Sequence, residues 1–213
     1  PGNADANLCV KVYQLLEAWF NLPAIDIHLL KTLPIGAGLG GGSADAAFTL
    51  RAIKDYFHLR ISDSEAKDLL AKVGSDCPFF WENKPMFVFG RGEKMRPIDL
   101  DLSDYHVLIV NPNIHISTKE AYAGVQPSPP VIDLEMLPSI EVDGWKDILV
   151  NDFETSIFPN YPLIKEIKDE LYNLGALYAS MTGSGSTLFG IFKEVPEEEV
   201  FRSYMTWKGR LTF

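Results

Sequence analysis

The residues of this 213-residue chain best suited to chemistry lie in two short stretches. The first is Pro34 to Ala47, P-I-G-A-G-L-G-G-G-S-A-D-A-A, where five glycines occupy the seven positions Gly36 to Gly42. Glycine lets a backbone come close to an anion, and a helix starting directly afterwards offers unpaired N–H groups and the positive end of its dipole. That is phosphate chemistry, with the Ser43 hydroxyl and the Asp45 carboxylate at the helix start. The second stretch is Gly74-Ser75-Asp76-Cys77-Pro78-Phe79-Phe80, which offers a carboxylate beside a thiol. A carboxylate, ionised at neutral pH, can orient a hydroxyl and take its proton. A cysteine nucleophile needs an activating partner, and none of His28, His58, His106 and His115 is near Cys77 in sequence. In the apolar Cys-Pro-Phe-Phe run, Cys77 therefore reads as packing. The same four histidines show no metal-ligand spacing, so no metal-binding residues are assigned.

Several phosphate readings compete. A nucleotide P-loop, G-x-x-x-x-G-K-[ST], needs a lysine that the loop lacks. Gly36, Gly38 and Gly41 satisfy G-x-G-x-x-G, the dinucleotide pattern. That fold also needs a second parallel strand with an acidic residue about 20 positions on. Here His58-Leu59-Arg60-Ile61 runs into another helix instead, and dinucleotide binding stays as the weaker alternative. A flexible linker would be polar and serine-rich, and would not join a patterned strand to a patterned helix. Each candidate also has a plainer role. Ser43 can simply cap the helix, Asp45 can favour its dipole or hold a cation, and Asp76 can cap a turn before Pro78.

The elements that must position these groups follow from periodicity. Asp5 is placed as the cap of a helix with Leu8, Val12, Leu15, Leu16 and Trp19 on its apolar face, ended by Asn21 and Pro23. Residues 24–30 alternate as a half-buried strand leading into the glycine loop. Ser43, as N-cap, opens a helix burying Ala46, Ala47, Leu50, Ile53 and Phe57. Ser62 and Glu65 form a capping box for a helix burying Ala66, Leu69, Leu70 and Val73, closed by Gly74. Strands are expected at 86–89 and 106–110, with a helix capped by Ser117 and Glu120 and a proline-rich loop at 126–130. Helices are expected at 145–154 and 162–174, the second started by Pro162 and stopped by Gly175. Strands 177–181 and 187–192 flank the turn Thr182-Gly183-Ser184-Gly185-Ser186, which a plain glycine hairpin would also explain. An acidic helix at 196–207 and a short strand at 210–213 close the chain. This is an α+β pattern in two lobes, 1–104 and 105–213.

Composition excludes other classes. A formal net charge of −10 speaks against a nucleic-acid binder, which carries a basic face. No apolar run approaches the roughly 20 residues of a membrane span, and no signal peptide is visible. Two cysteines make no disulfide framework, which fits a reducing, cytoplasmic compartment. Any polyphosphate must be held by local groups, with a divalent cation expected, because the global field repels it.

Pro34 to Ala44, followed by Asp45-Ala46-Ala47, resembles the ATP-binding motif of the GHMP small-molecule kinases. The triple glycine before Ser-Ala-Asp-Ala-Ala is most similar to the branch acting on cytidine-diphosphate methylerythritol. Further matches follow in order: Asn7-Leu8, Lys31, Gly74 to Phe80, Gly90-Arg91-Gly92-Glu93, Asn151-Asp152-Phe153-Glu154, and Ser180 to Gly185. The resemblance runs nearly end to end and implies a ribosomal-protein-S5-like N-terminal lobe followed by a ferredoxin-like C-terminal lobe.

It also implies an ATP-dependent kinase of isoprenoid precursor biosynthesis, monomeric or homodimeric, with Mg²⁺ accompanying ATP. Under it Pro34, Ile35, Gly36, Ala37, Gly38, Leu39, Gly40, Gly41, Gly42, Ser43 and Ala44 bind ATP, and Asp76 is catalytic. Asn7 and Lys31 lie near adenine, while Thr182, Gly183 and Ser184 lie near the phosphates or acceptor. A kinase for homoserine, mevalonate or a sugar, or a non-catalytic nucleotide-binding relative, are the alternatives. Pro1 is not an initiator Met and a helix begins almost at once, so the chain is expected to lack family strands that carry a lysine and a Tyr-His pair. The 213 residues alone are therefore expected to have impaired activity.

Overall fold

The computed structural model describes residues 4–90, 92 and 94–212, so Arg91 and Glu93 of the Gly90 to Glu93 match, and Phe213 of the expected last strand, lie outside it. Backbone contacts divide the chain into two units. One holds the residues up to Leu33 together with Gly40–Pro97; the other holds Pro34–Leu39 and everything from Ile98 onward.

The first unit is largely helical. A 3-10 turn, Ala4–Ala6, precedes α1, Leu8–Phe20. Its cap is Asn7, whose side chain accepts from the Cys9 N–H at 2.9 Å, and not Asp5 as expected. The expected strand at 24–30 is not one: these residues form no regular element, and no described strand pairs with them. Alternation is present, with Ile25 turned to the core and Ile27 and Leu29 exposed, but a strand also needs a neighbour for its backbone groups.

Helix α2, Gly41–Tyr56, starts three residues earlier than expected. Its N-cap is Gly40 at φ 65°, so Ser43 lies inside the first turn. Helix α3, Asp63–Val73, carries both arms of the expected Ser62–Glu65 capping box. Helix α4, Cys77–Glu82, has Pro78 in its first turn, where a missing N–H costs nothing. Strands β1, Met86–Phe89, and β2, Lys94–Pro97, form an antiparallel hairpin of which only β1 was expected. The core joins Val12 and Leu16 of α1, Ala46, Ala47 and Leu50 of α2, Leu69 and Leu70 of α3, and Cys77 and Trp81 of α4.

The second unit is an antiparallel sheet with helices packed on it. Strand β3, His106–Asn111, leads to α5, Thr118–Gly124, capped by Ser117 through the Glu120 N–H. Two 3-10 segments, Leu134–Ser139 and Val142–Asp147, precede α6, Phe153–Asn160, and α7, Pro162–Asn173. Strands β4, Tyr178–Met181, and β5, Leu188–Phe192, form the expected hairpin. A 3-10 turn, Glu199–Phe201, leads to β6, Met205–Arg210. The order β4-β5-β3-β6 is that of a ferredoxin-like layer. Leu108, Val110, Ala179, Met181, Leu188 and Phe192 point from it to Ile164, Ile167 and Leu171 of α7.

Two expectations fail here. The helix at 145–154 is a 3-10 turn ending at Asp147 and then a break, after which α6 starts at Phe153. Asn151 makes the break local, its Oδ1 accepting from the Phe153 N–H at 3.0 Å. The acidic helix at 196–207 shrinks to one 3-10 turn, and the last strand is Met205–Arg210 in place of 210–213. Strand β6 pairs along all of β3, from His106↔Arg210 to Asn111↔Met205, so ladder bonding outweighs helical periodicity.

Candidate active site

In the first unit, chemistry gathers where α2 and α4 begin. Gly40 can offer no capping side chain, so the first N–H groups of α2 keep their capacity to bind an anion. A Cβ on Gly40 would lie 2.6 Å from Phe80 Cζ, so the loop packs directly on α4. The Ser43 hydroxyl lies beside the buried Cys77 thiol. Burial pushes that thiol above the ordinary range, the Ser43 hydroxyl pulls it partly back, and the Asp76 charge pushes it up again. Cys77 is thus a protonated packing residue at neutral pH, as its sequence context indicates.

Asp76 precedes Cys77 at the N-cap position of α4, but its side chain makes no capping bond. The exposed carboxylate instead accepts from the Ser75 hydroxyl at 3.0 Å. Gly92, at φ 104°, comes close to it: a Cβ there would lie 3.3 Å from Asp76 Oδ1. The turn-capping alternative for Asp76 is therefore unused. Lys31 reaches across to Asp45 in an ion pair of 2.5 Å, both side chains about a quarter exposed. Its ammonium lies 3.4 Å from where a Gly41 Cβ would be, at the positive end of α2, an unfavourable place for a cation unless anions gather there.

In the second unit, Pro34–Leu39 lies against the turn between β4 and β5. Gly38, at φ 77°, approaches so closely that a Cβ would sit 2.3 Å from the Thr182 carbonyl oxygen and 2.8 Å from that of Gly185. Thr182 Oγ1 donates to the Gly38 carbonyl at 3.0 Å, and the Thr187 N–H donates to that of Ala37 at 3.3 Å. The turn is held from its other side by Asn151, whose Nδ2 donates to the Met181 carbonyl at 2.7 Å and the Gly183 carbonyl at 2.9 Å. Buried Glu154 accepts from the Met181 N–H at 2.8 Å and the Ser180 hydroxyl at 3.2 Å, with Lys168 balancing its charge. A cavity of about 570 Å³ adjoins the turn, lined by Tyr122, Leu149, Asn151, Phe153, Met181 and Gly183 among others.

Within the first unit, Gly40 to Ala44, Lys31 and Asp76 therefore cluster around the starts of α2 and α4, whereas the Asn7 side chain is spent on capping α1. Within the second unit, Ala37 and Gly38 meet Thr182 and Gly183. Sequence reading gave no role to Asn151, Glu154, Phe80 or Gly92. A signal is present for all four, because each lies in a stretch that matches the family pattern: Gly74 to Phe80, Gly90 to Glu93, and Asn151 to Glu154.

The start of α2, with backbone N–H groups that no side chain caps and the Lys31 ammonium close to Gly41, has the chemistry to receive an anion such as a phosphate. The residues there do not by themselves form a metal cage. Ser43 lies beside Cys77, Asp45 is paired with Lys31, and no group of three or more His, Cys, Asp or Glu suited to a metal gathers among the described residues.

Comparison with known proteins agrees with this geometry. Residues 7–84 match the GHMP kinases N terminal domain and residues 136–205 match the GHMP kinases C terminal domain. These are the two halves of one class of small-molecule kinase. The 4-diphosphocytidyl-2-C-methyl-D-erythritol kinase of Parabacteroides distasonis is 44% identical over 211 residues, covering 98% of this chain and 78% of that protein. The enzyme of the same name from Azobacteroides pseudotrichonymphae is 53% identical over 189 residues, covering 88% and 71%. A crystal structure of 4-(cytidine 5'-diphospho)-2C-methyl-D-erythritol kinase superposes with a TM-score of 0.81 at 28% identity, covering 98% of this chain and 79% of that one. The chain belongs to the GHMP kinase family, on the branch of the 4-diphosphocytidyl-2-C-methyl-D-erythritol kinases. No described helix is long and apolar enough to cross a membrane.

Proposed function

We propose that this protein transfers the γ-phosphoryl group of ATP to the 2-hydroxyl of 4-diphosphocytidyl-2-C-methyl-D-erythritol, releasing ADP. The acceptor oxygen bonds to the γ-phosphorus, the bond from that phosphorus to the β,γ-bridging oxygen breaks, and the hydroxyl proton passes to Asp76. The observation that carries the catalytic assignment is a carboxylate at a helix start that makes no capping bond. It sits one residue from Cys77, which lies beside Ser43 of the glycine-loop helix. Phosphoryl transfer has a loose transition state, so the protein chiefly positions reactants and stabilises charge.

Residues 34–44 hold the ATP phosphates through N–H groups that need no reorganisation. Lys31, kept at the α2 N-terminus by Asp45, adds positive charge on the nucleotide side, and Asn7 contributes only through its helix. Thr182, Gly183 and Ser184 support the loop from below. In this reading 1–104 is the ATP-binding lobe and 105–213 the C-terminal lobe, and the protein acts in the cytoplasm. Mg²⁺ would arrive on the nucleotide, its charge neutralising phosphate oxygens; kinase sites hold it largely through substrate phosphates.

A coupled ADP assay on the whole gene product, with the cytidyl acceptor, homoserine, mevalonate and a hexose, tests the assignment. Turnover confined to the cytidyl acceptor supports it. Turnover on another alcohol points to a sister kinase, and ATP binding without turnover on any points to a nucleotide-binding relative.

A further inference from the structure

We infer that Asn151 is a positioning residue for nucleotide binding, acting on the glycine loop through the β4–β5 turn. The inference rests on the proposed role of residues 34–44 in holding ATP. Four hydrogen bonds carry it, all within the second unit. Asn151 Nδ2 donates to the carbonyls of Met181 and Gly183, which bracket Thr182. Thr182 Oγ1 in turn donates to the Gly38 carbonyl, and Thr187, beyond the turn, donates its N–H to Ala37. Gly38 has no slack, because its α-carbon approaches two turn carbonyls more closely than any side chain would allow. A displaced turn must therefore displace the loop.

Asn151 is also well fixed. Its Oδ1 accepts from the Phe153 N–H at the start of α6, which assigns Nδ2 to the carbonyls. One amide thus spans the start of a helix and both ends of a three-residue segment, work that a turn of small residues cannot do for itself. The neighbouring buried Glu154 holds β4 through the Met181 N–H and the Ser180 hydroxyl, but makes no bond to the turn beyond Met181.

Asn151→Asp is the discriminating variant. It keeps the acceptor for the Phe153 N–H but replaces the donor with an oxygen facing two carbonyls. Ile164→Val, a change in the core of the same unit, controls for lost stability. ATP affinity would be measured by calorimetry in the whole gene product, well below the melting midpoint of every variant, so that stability alone cannot alter it. Asn151→Asp is expected to weaken ATP binding about tenfold, the loss of two neutral hydrogen bonds, with kcat at saturating ATP changed less than KM. Ile164→Val should bind as the parent does. Amide exchange at Thr187, whose N–H is bonded to Ala37, should accelerate in Asn151→Asp whether or not nucleotide is present. An Asn151→Asp affinity within about threefold of the parent, or unchanged Thr187 exchange, overturns the inference. If the parent itself fails to bind ATP, the reading of residues 34–44 fails, and Thr187 exchange still decides whether Asn151 controls the loop.

Discussion

Replacing Gly38 by alanine tests the ATP-loop reading most sharply. At φ 77° an L-residue pays about 1–2 kcal/mol for the left-handed conformation. The new Cβ would also lie 2.3 Å from the Thr182 oxygen and 2.8 Å from the Gly185 oxygen, both backbone atoms that cannot rotate aside. Relieving that overlap means moving the loop or the turn, and overpacking of this kind costs about 1–3 kcal/mol. The sum is about 2–5 kcal/mol. If even the lower end falls on the nucleotide-binding geometry, the ATP dissociation constant rises about 30-fold. Gly175→Ala is the matched control: φ is 92°, yet nothing lies within 4 Å of its Cβ. It should lower the melting midpoint by a few degrees, at about 2–4 °C per kcal/mol for a chain of this size, and leave ATP binding alone. Calorimetric titration and a thermal melt on both variants give the answer. A Gly38→Ala protein that binds ATP within about threefold of the parent would refute the close-approach reasoning.

Other expectations can be checked alongside. Asp76→Asn should cut turnover by about 10²–10⁴ with ATP KM changed only modestly; comparable turnover would remove Asp76 as the proton acceptor. Gly40→Ala meets the far end of the Phe80 ring and not backbone, so Phe80→Leu should restore part of its lost ATP affinity. No restoration would mean that the left-handed φ alone is responsible. Burial holds the Tyr178 phenol up to about 12, against an ordinary 10.0. An unfolded tyrosine thus ionises first as pH rises. The stability conferred is complete below about pH 10 and lost as pH rises through about 12, by an order-of-magnitude 2–3 kcal/mol. Urea denaturation across that window should show a shallower decline in Tyr178→Phe; equal slopes would count against the burial.

Local chemistry made much of this protein legible before any coordinates. The Ser62–Glu65 box, the Pro162 start and Gly175 stop of α7, and the inner face of α2 are settled by neighbours three or four residues apart. The glycine loop and the resemblance it carries are likewise a matter of consecutive residues. Long-range pairing was not legible. Met205–Arg210 carries an acceptable helical pattern and becomes a strand only because β3 offers it a full ladder. Residues 24–30 alternate like a strand and form none, because no described strand pairs with them. Glycine frequency singles out residues 36–42 as a candidate phosphate loop. Only the tertiary structure distinguished Gly38, pressed against backbone carbonyls, from Gly40, pressed against one aromatic ring. The same structure freed Asp76 from capping and gave Asn151 its hold on a turn some thirty residues away. Such contacts depend on distances between residues remote in the chain, which composition and periodicity do not encode.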